Sequence, residues 1–138
     1  MPDYILDTGI LIRHLRDYQG YPELVDRLTG EGDVSISAMT RLEIVRGMRD
    51  REQGATFELL DSLETVNVTS SEADQAGELI RFWKAHGTTI GDADAIIAAS
   101  ALQYGLVLVT TNPKHFPMTE LTILQTDDLG NLTPYTAA

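Results

Sequence analysis

A chain of 138 residues, 43% hydrophobic, suits one domain with a real core and excludes wholesale disorder. It has no cysteine, which excludes disulfides, thiolate metal sites and cysteine nucleophiles and is compatible with a reducing cytosol. A formal net charge of -11 argues against a nonspecific nucleic-acid binder, because polyanions attract basic surfaces; it suits a cation site or a basic partner.

The first residues, MPDYILDTG, lack a charged lead and a long apolar run, so no signal peptide is expected, and no stretch is long enough to span a membrane. DYILD (3–7) predicts a short strand ending on an acid. TGILIRHLRDY (8–18) has helical spacing through Ile12 and Leu15, with Thr8 as its cap. PELVDRLTG (22–30) runs from proline to glycine as a short helix, and DVSIS (33–37) alternates like a strand. The next helix, 38–50, carries Met39, Leu42 and Val45 on one stripe, and a further helix over 52–63 turns Phe57, Leu60 and Leu63 inward. TVNV (65–68) predicts a strand. SSEADQAGELIRFWKAHG (70–87) opens with capping serines and places Ala73, Ala76, Ile80 and Trp83 on one face. A helix over 92–104 precedes LVLVT (106–110), an apolar run typical of a central parallel strand, and LTILQ (121–125) is a further strand. One domain is expected over 1–130, with a loose tail over 131–138. The alternation predicts an α/β fold with a mostly parallel sheet, whose ligands lie outside the carboxyl ends of the strands.

Acids cluster at those ends. Asp7 closes the first strand, where a turn or cap role explains it equally well. Glu43 lies one turn into the helix after the second strand; pairing with Arg46 at i+3 is the plainer explanation for it taken alone. Asp92 and Asp94 begin a helix that is otherwise apolar nearly all round. Asp92 reads as the cap; Asp94 is a carboxylate with little solvent, and Lys84 is the nearest cation in the sequence. After the central strand, Thr110, Thr111, Asn112 and His115 supply further oxygen and nitrogen groups. Carboxylates converging in one crevice repel unless a cation binds them, and hard oxygen ligands without cysteine suit Mg²⁺ or Mn²⁺ better than Zn²⁺.

YILDTGILI (4–12), ISAMTRLEIVRGM (36–48), GDADAIIAASAL (91–102) and LVLVTTNPKHF (106–116) resemble, in order and over nearly the whole chain, the PIN-domain ribonucleases, in particular the VapC-like toxins of toxin–antitoxin pairs. The resemblance implies a PIN-like three-layer α/β/α fold, an acidic pocket holding Mg²⁺ or Mn²⁺, and metal-dependent endoribonuclease activity that hydrolyses RNA phosphodiesters. It also implies a cognate antitoxin and a homodimer, with the apolar helices at 22–29 and 38–48 as one source of contact surface. Asp7, Glu43 and Asp94 match the family's acids and are the expected catalytic and metal-binding residues, with Asp92 beside them. Asn112 and His115 stand where acids often occur; Asn112 retains a carbonyl oxygen for metal. Thr8, Thr110, Thr111, Arg46 and His115 are the expected substrate-positioning groups. The missing acid also motivates a catalytically weak PIN-like binding module for nucleic acid or protein. A different Mg²⁺-dependent phosphate enzyme would need a second acid beside Asp7 or a lysine ending the fifth strand, and the chain has neither.

Overall fold

Alternation along very short strands decides the layering. In β1 (Tyr4–Leu6), Tyr4 and Leu6 join one apolar cluster and Ile5 the other; in β4 (Val107–Thr110), Val109 and Leu108 divide in the same way. A sheet that is apolar on both faces must be covered on both. The computed structural model, which describes residues 3–136, shows this arrangement. Helices α1 (Thr8–Leu15), α2 (Tyr21–Glu31), α3 (Ala38–Gly47) and α4 (Gln53–Ser62) contribute to the first cluster, and α5 (Ser70–Ala85) and α6 (Asp92–Tyr104) to the second. Short 3₁₀ turns occupy Asp50–Glu52 and Pro113–His115.

With β2 (Val34–Ser37), β3 (Glu64–Val66), β5 (Ile123–Thr126) and β6 (Leu132–Tyr135), the sheet runs in the order β3-β2-β1-β4-β5-β6. Every pairing is parallel except that of β5 with β6. The chain builds outward from β1 through β2 to β3, then returns to the other side of β1 with β4. Strand order therefore reverses between β1 and β4, where open α/β sheets bind their ligands.

Helix α6 spans the predicted residues. Its alanines at 95, 98, 99 and 101 are all buried, which lets it lie close to the sheet and to α5. Along the α5–α6 seam, the Gln103 amide donates to the Ser71 carbonyl at 3.0 Å and the Tyr104 hydroxyl to Glu72 Oε1 at 2.5 Å. Thr69, not a serine, caps α5; its backbone N–H donates to Glu72 Oε2 at 3.0 Å and its hydroxyl to the same oxygen.

Three helical faces differ from the predicted ones. On α1, Ile10 and Leu11 are buried while Ile12 is exposed; on α3, Thr40 and Ile44 are buried while Leu42 is 49% exposed; on α5, Ala73 is exposed and Glu72 is buried. Each of these helices carries a polar contact in or beside its first turn, which side-chain hydropathy does not register.

The expected loose tail is corrected over Leu132–Tyr135, which pair antiparallel with β5. Asp127 Oδ1 accepts the backbone N–H groups of Leu129 and Asn131, both at 2.9 Å, and closes the hairpin. The buried Tyr21 hydroxyl lies 2.8 Å from the Asp127 carbonyl and accepts from Arg13 Nη1 at 3.1 Å. Gly20, at φ 89°, sits so near this hairpin that a Cβ would fall 1.7 Å from the Leu129 carbonyl oxygen. The last part of the expected tail, 137–138, lies outside the described residues. Among the described residues, no helix is long and apolar enough to cross a membrane.

Candidate active site

β1 ends at the strand-order reversal, and Asp7 follows it directly. Its backbone N–H donates to the Val109 carbonyl of β4 at 2.9 Å, fixing the residue between the two strands. Asp7, rather than Thr8, caps α1: Oδ1 accepts the Thr8 N–H at 2.8 Å. Oδ2 accepts the Thr110 hydroxyl at 2.7 Å, and Thr110 in turn accepts the Asn112 N–H at 3.0 Å. The cap and turn role anticipated for Asp7 is therefore real, and it aims the carboxylate across the β1–β4 junction.

Glu43 arrives on α3. The Thr8 hydroxyl donates to Glu43 Oε1 at 2.8 Å, and Thr40 Oγ1 lies 3.1 Å from the same Thr8 oxygen. A proton from Thr40 leaves that of Thr8 for Glu43. Thr40 is fully buried and three residues before Glu43, so it shares a helix face with it. Sequence reading missed Thr40; its spacing from Glu43 is the one signal that pointed there.

Asp94 stands in the first turn of α6, half-buried, with His115 Nδ1 3.4 Å from its Oδ2. Burial raises the Asp94 carboxyl above the usual aspartate value, and the Asp7 and Glu43 charges raise it further, while His115 opposes them. Burial likewise raises Asp7, against the Thr110 and Thr8 hydrogen bonds; Glu43 adds to the rise and His115 lowers it. Four groups from four segments thus share one electrostatic neighbourhood. None of the three acids is in a salt bridge with lysine or arginine among the described residues.

The donor set suits a hard divalent cation: buried carboxylate oxygens that repel one another and lack a cationic partner. Among the described residues no three acid or histidine side chains stand close enough together to ligate one ion as they are placed.

Several expected site residues take other places. Asp92 is exposed at the first position of α6, whose cap is Gly91, so its predicted capping role is corrected; nothing joins it to the other acids. Asn112 is exposed, and its amide Nδ2 donates to Thr111 Oγ1 at 3.2 Å, so it too stays outside the cluster. Thr110 is fully buried and spends its hydroxyl on Asp7, which makes it a positioning residue for that acid and not a substrate contact. Thr8 similarly holds Glu43. Thr111 packs against Gly9, where a Cβ would fall 2.9 Å from its Oγ1. Arg46 is exposed at the end of α3; Arg16 is the arginine that lines a small cleft with Glu43. Arg13 and Arg41 are engaged elsewhere, the first with Tyr21 and Asp128, the second with Asp61 at 2.7 Å.

The family model of the PIN domain matches residues 4–119. Ribonuclease VapC10 of Mycobacterium tuberculosis is 33% identical over 116 residues, which cover 84% of this chain and 87% of that protein. Among solved structures, VapBC2 from Rickettsia felis, bound to a DNA fragment from its promoter, superposes with a TM-score of 0.78 at 25% identity, covering 91% of this chain and 99% of that one. A toxin–antitoxin complex from Klebsiella pneumoniae shares the fold, with a TM-score of 0.70 at 24% identity over 82% of this chain and 89% of its own. With Asp7, Glu43 and Asp94 gathered at the strand-order reversal of such a fold, the chain belongs to the PIN-domain family and groups with its VapC ribonucleases.

Proposed function

We propose that this chain is the ribonuclease toxin of a toxin–antitoxin pair, cutting RNA with the help of Mg²⁺ or Mn²⁺, for which Asp7, Asp94 and Glu43 supply the neighbouring carboxylates. The observation that carries the reading is the convergence of these three acids, from three separate elements, without a lysine or arginine salt bridge among the described residues. A divalent cation bound there would supply charge neutralisation for the phosphate and activation of the attacking water. Asp7 is the most rigid of the three, with both oxygens already hydrogen-bonded. Thr8 and Thr40 hold Glu43 in its rotamer, and the first turn of α6 supports the Asp94 charge through its free N–H groups. Water adds to phosphorus, the bond from phosphorus to the 3′ oxygen breaks, and that oxygen takes up a proton. The products are a 5′-phosphate and a 3′-hydroxyl.

The partner is an antitoxin with basic side chains. An acidic toxin of net charge -11 attracts such a chain from a distance, and a cation from it would satisfy the unpaired carboxylates. A homodimer is part of the same reading.

Purified protein is incubated with RNA in Mg²⁺ or Mn²⁺, then with chelator, beside Asp7→Asn and Asp94→Asn. Cutting that requires metal and disappears in both variants is expected. Cutting that survives chelation overturns the metal mechanism, and binding of RNA without cutting by the unaltered protein points instead to a binding module.

A further inference from the structure

Beside the carboxylates lies a second cleft, of about 290 Å³, between the segment joining α5 to α6 and the 3₁₀ turn after β4. Thr88, Thr89 and Gly91 form one wall, Lys114 and His115 the other, and Asp94 the end toward the acids. We infer that this cleft binds the nucleotide next to the cleaved phosphodiester, an inference that rests on the ribonuclease reading.

The cleft is continuous with the acid cluster, because Asp94 and His115 belong to both. A strand whose phosphate lies over Asp7 and Asp94 must pass through or beside it. Its chemistry matches single-stranded RNA. The two threonine hydroxyls both donate and accept, as the edges of an unstacked base and a 2′-hydroxyl require. Lys114, one of only two lysines in the chain, supplies a cation for the adjoining phosphate on a molecule that otherwise repels RNA. The volume is near the lower end for ligand pockets, about 300–1,000 Å³, which suits one nucleotide better than a folded partner.

The wall is rigid before any ligand arrives. The Thr88 N–H donates to the Trp83 carbonyl at 2.8 Å, Ile90 is buried in the core, and the Gly91 carbonyl accepts the Ala95 N–H at 2.9 Å. A side chain at Gly91 meets no heavy atom within 4 Å, and its φ of -68° suits any L residue. A leucine placed there therefore meets no neighbour, on a residue that lines the cleft.

The test measures binding of labelled single-stranded RNA to the Asp7→Asn protein in chelator, where cutting is off, and cleavage by the protein with Asp7 intact. Each is repeated with Gly91→Leu, Lys114→Met and Thr89→Val. Gly91→Leu is expected to weaken RNA binding about tenfold or more, to raise KM rather than lower kcat, and to change the nucleotide preferred beside the cut. Lys114→Met is expected to weaken binding evenly across sequences and to reduce the salt slope by about 0.7. Thr89→Val is expected to alter preference by a few-fold. Gly77→Leu, also in open space but on α5, controls for a general effect of leucine and is expected to change nothing. Unaltered RNA affinity and preference in a folded Gly91→Leu protein overturns the subsite, whether or not the protein cuts RNA. Loss of RNA binding in Gly91→Leu, with no cutting by the unaltered protein, upholds the cleft as an RNA-binding site and overturns the ribonuclease reading, and with it the place of the bound nucleotide beside a cut. No RNA binding by the Asp7→Asn parent overturns the subsite directly.

Discussion

Glu72 and Asp94 are both acids in or near the interior of the same helical layer, yet their surroundings are opposite. Glu72 accepts from the Thr69 N–H and hydroxyl and from Tyr104, and these bonds, the Thr69 hydroxyl foremost, hold its carboxyl down at about 2. Asp94 has one near polar neighbour, His115, and is pushed upward by burial and by Asp7. Burial alone therefore does not mark a functional acid. An acid surrounded by donors is part of the scaffold; an acid left with like charges is available to a cation.

The largest expected effect that tests this contrast is on catalysis. Asp94→Asn or Asp7→Asn should lower RNA cleavage by roughly a hundredfold or more, while Glu72→Gln should leave cleavage near normal below its own melting temperature. Equal losses in all three proteins, measured in single-turnover assays, would erase the distinction. Next is stability. Glu72→Ala removes the Tyr104 hydrogen bond across the α5–α6 seam and the Thr69 bonds that cap α5, and should lower Tm by several degrees. Asp94→Asn should raise Tm in chelator, because it removes a charge that repels Asp7 and Glu43. Mn²⁺ should then stabilise the unaltered protein and the Glu72 variant but not the Asp94 one, as read by thermal melting.

Acid titration sharpens the comparison further. The Glu72 carboxyl lies lower in the folded state than the ordinary 4.5, so its contribution is present above that value and is lost as pH falls toward about 2. Asp7 and Asp94 lie above the ordinary 3.8, so the folded state holds their protons more tightly than the unfolded state does. Their contribution favours folding below 3.8 and disappears as pH rises through their raised values. Tm against pH in chelator should therefore lose its low-pH fall in part in Glu72→Gln, and lose part of its fall on the rising side in Asp94→Asn. The smallest expected effect is Gly9→Ala. Its Cβ would press on Thr111 Oγ1, a side-chain atom that can shift, so a cost of about 1 kcal/mol and a modest loss of cleavage are expected.

The three acids of the candidate site were legible because each follows a readable junction: Asp7 after an apolar strand, Glu43 one turn into a helix, Asp94 at the start of an alanine-rich one. His115 was legible as a ligand-edge group, and the structure brings it to Asp94. Asp92 and Asp94 looked like a cap and its follower, but the backbone of Gly91 takes the cap position and Asp92 faces solvent. Thr110 looked like a free hydroxyl because a sequence does not show that Asp7, 103 residues earlier, will occupy it. The exposed Leu42 has the same origin: α3 is turned by Thr40 against Thr8 and by Ile44 against the core, and neither contact is local. The final strand was invisible because Leu132–Tyr135 contain a proline and little apolar pattern, and become a strand only where β5 offers an edge.

By itself the sequence determined the alternation of strands and helices up to β5, the parallel core strands and the candidate acids, since these follow from periodicity, caps and residue chemistry within short windows. The tertiary structure alone decided which hydroxyl serves which carboxylate, which face of each short helix is buried, and that a cleft lies beside Asp94. Those depend on pairings across tens of residues, such as Thr8 with Glu43 and Thr110 with Asp7, which the window of an eight- or ten-residue helix does not contain.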